Sequence, residues 1–370
     1  MQTRDLWNPS LFILSICLLI AAGCGTDPVE NKDAVKSDGA SVDGGGDASV
    51  ANDSGADGGD SGDSGGDSKA DTTTGGPVLT ARSLRFNEDL LGVWGSSLSD
   101  VWWVGRKGTI LHDNGAVLAP RGSGTNKDLH AVGGLGPNEV WFAGQGVVLR
   151  WNGKKILDRT PPDLGDAVLR SVVAPPDGST LLIAGDGGLV YRLVKGLLVK
   201  ETTGTALRIR ALRAVSAGNI WAIGDAGQGL HLTGGTWGSF SMPGAADTLF
   251  ALDAGPTGRL FAVGAAGFVA ATEDKTWTAS LSNDPKNRDL YALWALSDTS
   301  AFALGKDGAL IEFKGKKWGV RDIDGTYMKT ATFRAAWGMI DKAGAGAGYA
   351  VGDAGAGLRY DPLKNRWEDK

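Results

Sequence analysis

The chain has 370 residues, of which 58 are glycine, about twice the usual share. Its 37 basic and 42 acidic residues leave a formal charge of −5, too close to balance for a nucleic-acid binder. Cys17 and Cys24 are the only cysteines and there are three histidines, which excludes a disulfide framework, a Cys-based zinc site and a His-rich metal centre; no metal or cofactor is expected.

The first 23 residues read as an export signal. Leu11–Ala22 is a 12-residue apolar run preceded by Arg4, shorter than the ~20 residues of a spanning helix. It ends in Ile20-Ala-Ala-Gly-Cys24, which resembles a bacterial lipobox. That resemblance implies diacylglyceryl transfer to the Cys24 thiol, cleavage before it, and a membrane anchor of acyl chains. Cys17 lies inside the apolar run and is discarded with it.

Residues 24–77 comprise Cys24 and a tether. From Gly25 to Pro77 there are 12 acidic residues against Lys32, Lys36 and Lys69, and no aromatic. Nothing there offsets the entropy of ordering, so a disordered coil spanning roughly 36–44 Å is expected. Its Asp-Gly runs miss the ligand spacing of an EF-hand loop: Asp53-Ser-Gly-Ala-Asp57-Gly58 lacks the third position. Such tethers after a lipobox cysteine are similar to those of myxobacterial lipoproteins.

From residue 78 a pattern repeats seven times: an apolar residue, usually an aromatic, two small or aliphatic residues, then glycine. It begins as Val101-Trp-Trp-Val-Gly105 and ends as Gly348-Tyr-Ala-Val-Gly352, with glycine spacings of 39, 41, 39, 40, 41 and 47. A period near 40 with four short apolar runs is the pattern of a β-propeller blade. The expected fold is all-β: a seven-bladed propeller of four-stranded antiparallel blades over residues 78–370. A flat β-solenoid is the alternative, although its repeats are shorter.

Within each unit, strand A holds a small third residue (Gly92, Ala131, Ser171, Ala214, Ala251, Ala292, Ala335), as a crowded axis requires. Strand B is the repeated pattern, and its aromatic (Trp102, Trp141, Trp221, Phe261, Phe302, Tyr349, with Leu182 the exception) should fill the seam between blades. Gly-x-x-Gly turns follow in six units, and their glycines suit positive φ. Strand D opens on Trp237, Trp277, Trp318 and Trp367 in the last four. The seventh unit ends soon after Trp367, so Val78–Phe86 is expected to pair into that blade and latch the ring.

Leu91-Gly-Val-Trp-Gly-Ser-Ser-Leu-Ser-Asp-Val-Trp-Trp-Val-Gly-Arg-Lys-Gly-Thr-Ile-Leu111 resembles the repeat of bacterial-neuraminidase-repeat and photosystem II assembly-factor-like propellers, and the likeness spans about 290 residues. It implies an all-β propeller, often exported or lipid-anchored. The family's Asp-box survives only as fragments such as Thr272-Glu-Asp-Lys-Thr-Trp277.

The candidate binding residues lie on strand A. Arg170, Arg213 and Arg334, with His130 at the equivalent place, could approach the axis. Trp94, Trp294 and Trp337 could stack on a sugar or pack between blades. The irregular stretches Arg321–Thr332 and Asp341–Gly348 of the seventh unit are a further place for a partner surface. No catalytic set is assigned: a sialidase-like site needs convergent arginines, a tyrosine nucleophile and an acid/base pair. The sequence therefore points to a monomeric, lipid-anchored outer-membrane propeller, periplasmic or at the cell surface, that binds an envelope protein or glycan and no nucleic acid. The alternative is a polysaccharide hydrolase or lyase, which a cluster of carboxylates and arginines at one end of the channel would favour.

Overall fold

Each apolar run becomes a short strand, and each turn signal reverses it. The computed structural model describes residues 87–369, apart from 275, 324–327 and 341–345. The signal peptide, Cys24, the tether, the latch segment 78–86, Tyr327 and most of the insertion Asp341–Gly348 lie outside the described residues.

Seven antiparallel sheets follow in chain order, each of four strands that pair with their neighbours in sequence. Blade one is β1 (Leu90–Ser97), β2 (Asp100–Gly105), β3 (Ile110–Asp113) and β4 (Leu118–Pro120); blade two is β5 (Leu129–Gly136), β6 (Glu139–Gly144), β7 (Val147–Trp151) and β8 (Ile156–Asp158). Blade three is β9 (Leu169–Val173), β10 (Leu182–Gly185), β11 (Val190–Val194) and β12 (Leu197–Glu201), and blade four is β13 (Ile209–Ser216), β14 (Asn219–Gly224), β15 (Gln228–Thr233) and β16 (Thr236–Ser241). Blade five is β17 (Leu249–Ala254), β18 (Leu260–Gly264), β19 (Phe268–Glu273) and β20 (Thr276–Leu281). Blade six is β21 (Leu290–Ser297), β22 (Ser300–Gly305), β23 (Leu310–Lys314) and β24 (Lys317–Val320). Blade seven is β25 (Phe333–Ile340), β26 (Gly346–Gly352), β27 (Gly357–Asp361) and β28 (Arg366–Asp369).

The innermost strands close a circle: β1 packs on β5, and so on through β9, β13, β17, β21 and β25 back to β1. The seven-bladed propeller expected from the repeat is therefore the fold. The expected latch falls on Val78–Phe86, outside the described residues. The strand D expected to be stunted is present as β28, paired with β27 from Asp361↔Arg366 to Leu358↔Asp369. Among the described residues blades one and seven share no sheet, and β1 meets β25 and β26 through packing.

The seams carry the core. Trp102, Trp141, Leu182, Phe261, Phe302 and Tyr349 are buried at the expected strand B position, and half-buried Trp221 packs edge-on to Phe240 and Trp277. At the seam between blades six and seven Trp367 lies 5.7 Å from Phe302, 5.9 Å from Trp294 and 5.6 Å from Tyr360. Two seams add a polar pin. His112 stacks on Trp102 at 3.7 Å with Nε2 2.7 Å from an Asp100 oxygen, and His231 stacks on Trp221 at 3.7 Å with Nε2 2.8 Å from Asn219 Oδ1.

The glycine that ends each strand B is fixed by a close approach. A Cβ on Gly105, Gly144, Gly185, Gly305 or Gly352 would land on the carbonyl oxygen of the residue just before strand A of the same blade. The φ of Gly105 is −164°, ordinary extended backbone, so conformational freedom is not the reason at this first glycine. The expected positive φ belongs to the second glycine of the turn, as in Gly108 (71°) and Gly227 (64°). One expected register is corrected. In blade four Ile209 pairs with Gly224 and Ala211 with Ile223, as Leu90 pairs with Gly105 and Gly92 with Val104 in blade one. The small third residue is thus Ala211, not Ala214. Two consecutive aliphatic-Arg-Ala triplets, Ile209-Arg-Ala and Leu212-Arg-Ala, cause the three-residue slip.

Neighbouring blades are also tied by one recurring hydrogen bond. The turn after strand B presents a backbone N–H to the aspartate before the next blade's strand A: Lys107 N to Asp128 at 2.9 Å, Ala266 N to Asp289 at 2.9 Å, and across the ring closure Ala354 N to Asp89 at 2.9 Å. The Asp89 carboxyl is held below its ordinary range, first by that N–H and then by Arg106.

Two outcomes follow. Gly144→Ala is expected to cost about 3 kcal/mol or more by forcing the blade apart, whereas Gly122→Ala, with nothing within 4 Å of its Cβ, should leave the melting temperature unchanged; equal melting of the two would contradict the close-approach argument. Asp89→Ala should cost about 2 kcal/mol at pH 7, the scale of a charge-assisted hydrogen bond. Because the native pKa is lowered, that difference is complete above the unfolded carboxyl value and shrinks as pH falls through the native one, which denaturant titrations at pH 7 and pH 3 would reveal.

Candidate functional site

The start of strand A and the turn after strand B lie at the same end of every blade, so the second residue of strand A and the residue after the repeated glycine face each other. Where that turn residue is aspartate, the strand residue is arginine. Arg170 grips Asp186 through Nε (2.7 Å) and a terminal nitrogen (3.0 Å), Arg334 grips Asp353 at 2.8 Å twice, and Arg210 Nε donates to Asp225 at 2.6 Å. In the other blades the second residue is Leu91, His130, Phe250 or Tyr291.

These pairs join into a belt around the axis. Arg208 bridges blades three and four, 3.4 Å from Asp186 and 3.5 Å from Asp225. Arg210 stands over the Phe250 ring at 5.3 Å, Phe250 meets Tyr291 edge-on at 4.7 Å, and Arg334 stands over Tyr291 at 4.8 Å. Arg106 then spans Asp89 (2.7 Å) and Asp128 (3.1 Å), which leads back to His130. His130 has no hydrogen-bond partner among the described residues. Burial pushes its pKa down, and the neighbouring Arg170 charge adds to that, so the imidazole is neutral at pH 7.

The structure thus unites His130, Arg170 and Arg334 from the expected set and separates the rest. Arg213 does not share their position, a consequence of the register slip in blade four; Arg210 does. Arg213 is the fifth residue of strand A, where it pairs with Asp253 of blade five at 3.0 Å. Trp94, Trp294 and Trp337 occupy the same fifth position in blades one, six and seven. Each lies over a glycine of the following blade: a Cβ on Gly134 would sit 2.8 Å from Trp94, one on Gly95 2.6 Å from Trp337, and one on Gly338 would collide with Trp294. This end of strand A is taken up by packing between blades.

Chemically the belt is a surface of paired charges and aromatic faces. It satisfies the composition expected of a hydrolase, with carboxylates and arginines at one end of the ring, but its electrostatics differ. A glycosidase needs one carboxyl held high as an acid. Asp89 lies below its ordinary range, and so does Asp186, where hydrogen bonds and charge from Arg170 and Arg208 outweigh burial. Burial and then Asp289 push the Tyr291 phenol up, opposite to what a nucleophile requires. A second constellation, Ser96, Asp100 and His112, has the aspartate in the middle: Ser96 Oγ donates to Asp100 at 2.5 Å and does not meet His112, so the serine–histidine contact of a hydrolase triad is not formed. Asn219 takes the place of Asp100 in the corresponding seam, as a positioning role allows.

Arg208, Arg210, Phe250, Tyr291 and the three turn aspartates did not come from reading strand A alone. The signal that finds them is the correlation between units: Gly-Asp-x-Gly after strand B accompanies arginine at the second residue of strand A in blades three, four and seven.

Neither a protein-family model nor a curated protein matches the sequence. Solved structures do match in shape. YCF48 bound to D1 peptide is similar at 17% identity and a TM-score of 0.61, over 77% of this chain and 96% of that one. YCF48 from Cyanidioschyzon merolae gives 17% and 0.59 over 78% and 98%. The WD40 propeller domain of Doa1 gives 12% and 0.57 over 74% and 92%. At these identities the likeness establishes the propeller fold, the same architecture that the seven-fold repeat describes.

Proposed function

We propose that the protein is a non-catalytic binding platform that recognises another protein through the belt around one end of its axis. The observation that carries this reading is the continuity of the belt through Arg170, Arg208, Arg210, Phe250, Tyr291, Arg334 and Arg106, set against a fifth-residue ring in which Trp94, Trp294 and Trp337 pack between blades and Arg213 is paired with Asp253. Arginine and aromatic residues are the side chains that dominate interface energetics, and guanidinium–carboxylate pairs can exchange partners for a peptide's own charges. The YCF48 structure with a D1 peptide supports the idea that a propeller of this shape can bind a peptide.

We further propose that the platform is exported, acylated at Cys24 and held at the outer membrane by a disordered tether. Support comes from Ile20–Cys24, from the acidic 25–77 segment, and from Gly25, since aspartate after the acylated cysteine retains enteric lipoproteins at the inner membrane. Partners would then be envelope proteins or glycans, met by a monomer. Metabolic labelling with a clickable fatty acid should label the parent and not Cys24→Ser; equal labelling of both would sink the anchor.

A photo-crosslinking residue at position 91 in intact cells is expected to yield a discrete envelope adduct. The adduct should fall about tenfold in Arg334→Ala/Phe250→Ala, a loss of the size expected at an interface hot spot, with folding checked by circular dichroism. An unchanged adduct would refute the belt. The polysaccharide-active reading keeps one supporting observation, the carboxylate–arginine composition of the belt; turnover of envelope oligosaccharides that Tyr291→Phe abolishes would establish it instead.

A further inference from the structure

One blade breaks the rule that the seams obey. Strand B carries a seam aromatic in six units and Leu182 in blade three. Elsewhere that ring serves two neighbours. It meets the strand D tryptophan of the following blade: Trp221 lies 6.0 Å from Trp277, Phe261 6.1 Å from Trp318 and Phe302 5.7 Å from Trp367. It also covers the residue opposite it on strand C, as Trp102 covers His112, Trp221 covers His231 and Trp141 lies beneath Arg150 at 5.8 Å. Leucine in blade three deprives both neighbours. Trp237 of β16 packs on the aliphatic cluster that holds Leu182, Leu230 and Leu232, and meets no other ring among the described residues. Arg192 of β11, paired opposite Leu182, has no ring to lie over.

Beside these two residues the seam between blades three and four opens as a groove of about 660 Å³, within the ~300–1,000 Å³ of ligand sites. Its polar groups are fixed. Glu201, the last residue of β12, accepts a hydrogen bond from Arg192 Nε at one oxygen and from Trp237 Nε1, 2.9 Å away, at the other. Each carboxylate oxygen keeps a further lone pair, and the two terminal nitrogens of Arg192 donate to nothing among the described residues. All three side chains are half-buried, so the seam holds them while solvent reaches them. Around them the walls are low: Gly218 and Gly235 have no atom within 4 Å of a Cβ, and the exposed Thr202 and Thr236 line the opening.

We infer that this groove is a binding site for a neutral pyranose unit of a glycan. A sugar ring offers an apolar C–H face and a row of hydroxyls, each both donor and acceptor. An indole flanked by a carboxylate and a guanidinium matches both features. The C–H face covers Trp237, while adjacent hydroxyls donate to Glu201 and accept from Arg192. The two charges cancel, which selects an uncharged ring: an acidic sugar meets Glu201 and a cationic amino sugar meets Arg192. A lipid chain would desolvate both side chains and give them no new partner. A peptide strand is recognised through a row of backbone groups, whereas the fixed groups here are three side chains around one hollow. The groove shares no residue with the belt and does not rest on it.

The test uses the full chain and saturation-transfer NMR with the methyl glycosides of glucose, galactose, mannose, fucose and N-acetylglucosamine. Saturable binding of at least one is expected. Glu201→Gln removes the charged acceptor and should weaken it about tenfold or more. Gly218→Phe, at a position with ordinary φ and nothing within 4 Å of its Cβ, fills the mouth of the groove. It should abolish binding while leaving the melting temperature near that of the parent. Leu182→Phe, which restores the ring of the other blades, is expected to abolish it as well. Arg334→Ala should bind as the parent does. Binding of none of the glycosides, or binding indifferent to Glu201→Gln and Gly218→Phe, would overturn the site. A preference for free glucuronate over every glycoside, or displacement of the bound glycoside by adenosine, would overturn the choice of a neutral sugar.

Discussion

The whole ring depends on a contact between two backbones that leaves no room for a side chain. At the end of each strand B, the carbonyl before strand A occupies the space of a Cβ, and the glycine there lets the chain turn while both strands stay in register. That contact sets the height of the turn relative to strand A. The same turn then offers an N–H to the next blade, captured by Asp128, Asp289 or Asp89. One local packing decision, made seven times, thus sets the turns, and at three junctions their N–H groups add to the apolar seams and to ion pairs such as Arg213–Asp253 in aligning neighbouring blades. A side chain at any of these glycines would disturb both the blade and its neighbour.

The belt is a by-product of the same alignment. Once the turn and the start of strand A are held together, their side chains must either complement each other or repel. Blades three, four and seven solve this with an aspartate on the turn and an arginine on the strand; blade one reverses the signs, with Arg106 on the turn and Asp89 before the strand. Blades five and six place Phe250 and Tyr291 there, against the guanidinium groups of their neighbours. A surface suited to recognition therefore arises where the fold already demands paired polar groups, and the opposite end of strand A, filled by Trp94, Trp294 and Trp337, has no such freedom.

Fold class and blade number were legible because the repeat restates each structural demand seven times, so that chance matches average out. Boundaries were less so. The slip at Ile209–Ser216 arose because two triplets satisfy the same pattern, and only the bulge that pairs Ile209 with Gly224 distinguishes them. The site was half legible. His130, Arg170 and Arg334 could be placed by position, but their partners lie some 16 to 19 residues on, across a hairpin (His130 apart), and periodicity along one strand carries no information about them. The tryptophans of strand A were legible as apolar and ambiguous as to use, since a ring that stacks on a ligand and one that covers a glycine look alike in a sequence.

Blade seven draws all four of its described strands from the end of the chain, so among the described residues the boundary between it and blade one is a junction of two four-stranded sheets, like the six others. Among the described residues no strand is shared across it, and β1 and β25 meet as β1 and β5 do. The polypeptide's starting point is then arbitrary with respect to the architecture: a rearranged gene that opens at the link before Ile209 and joins the end of β28 to Leu90 by a short bridge would encode the same wheel, begun at a different spoke.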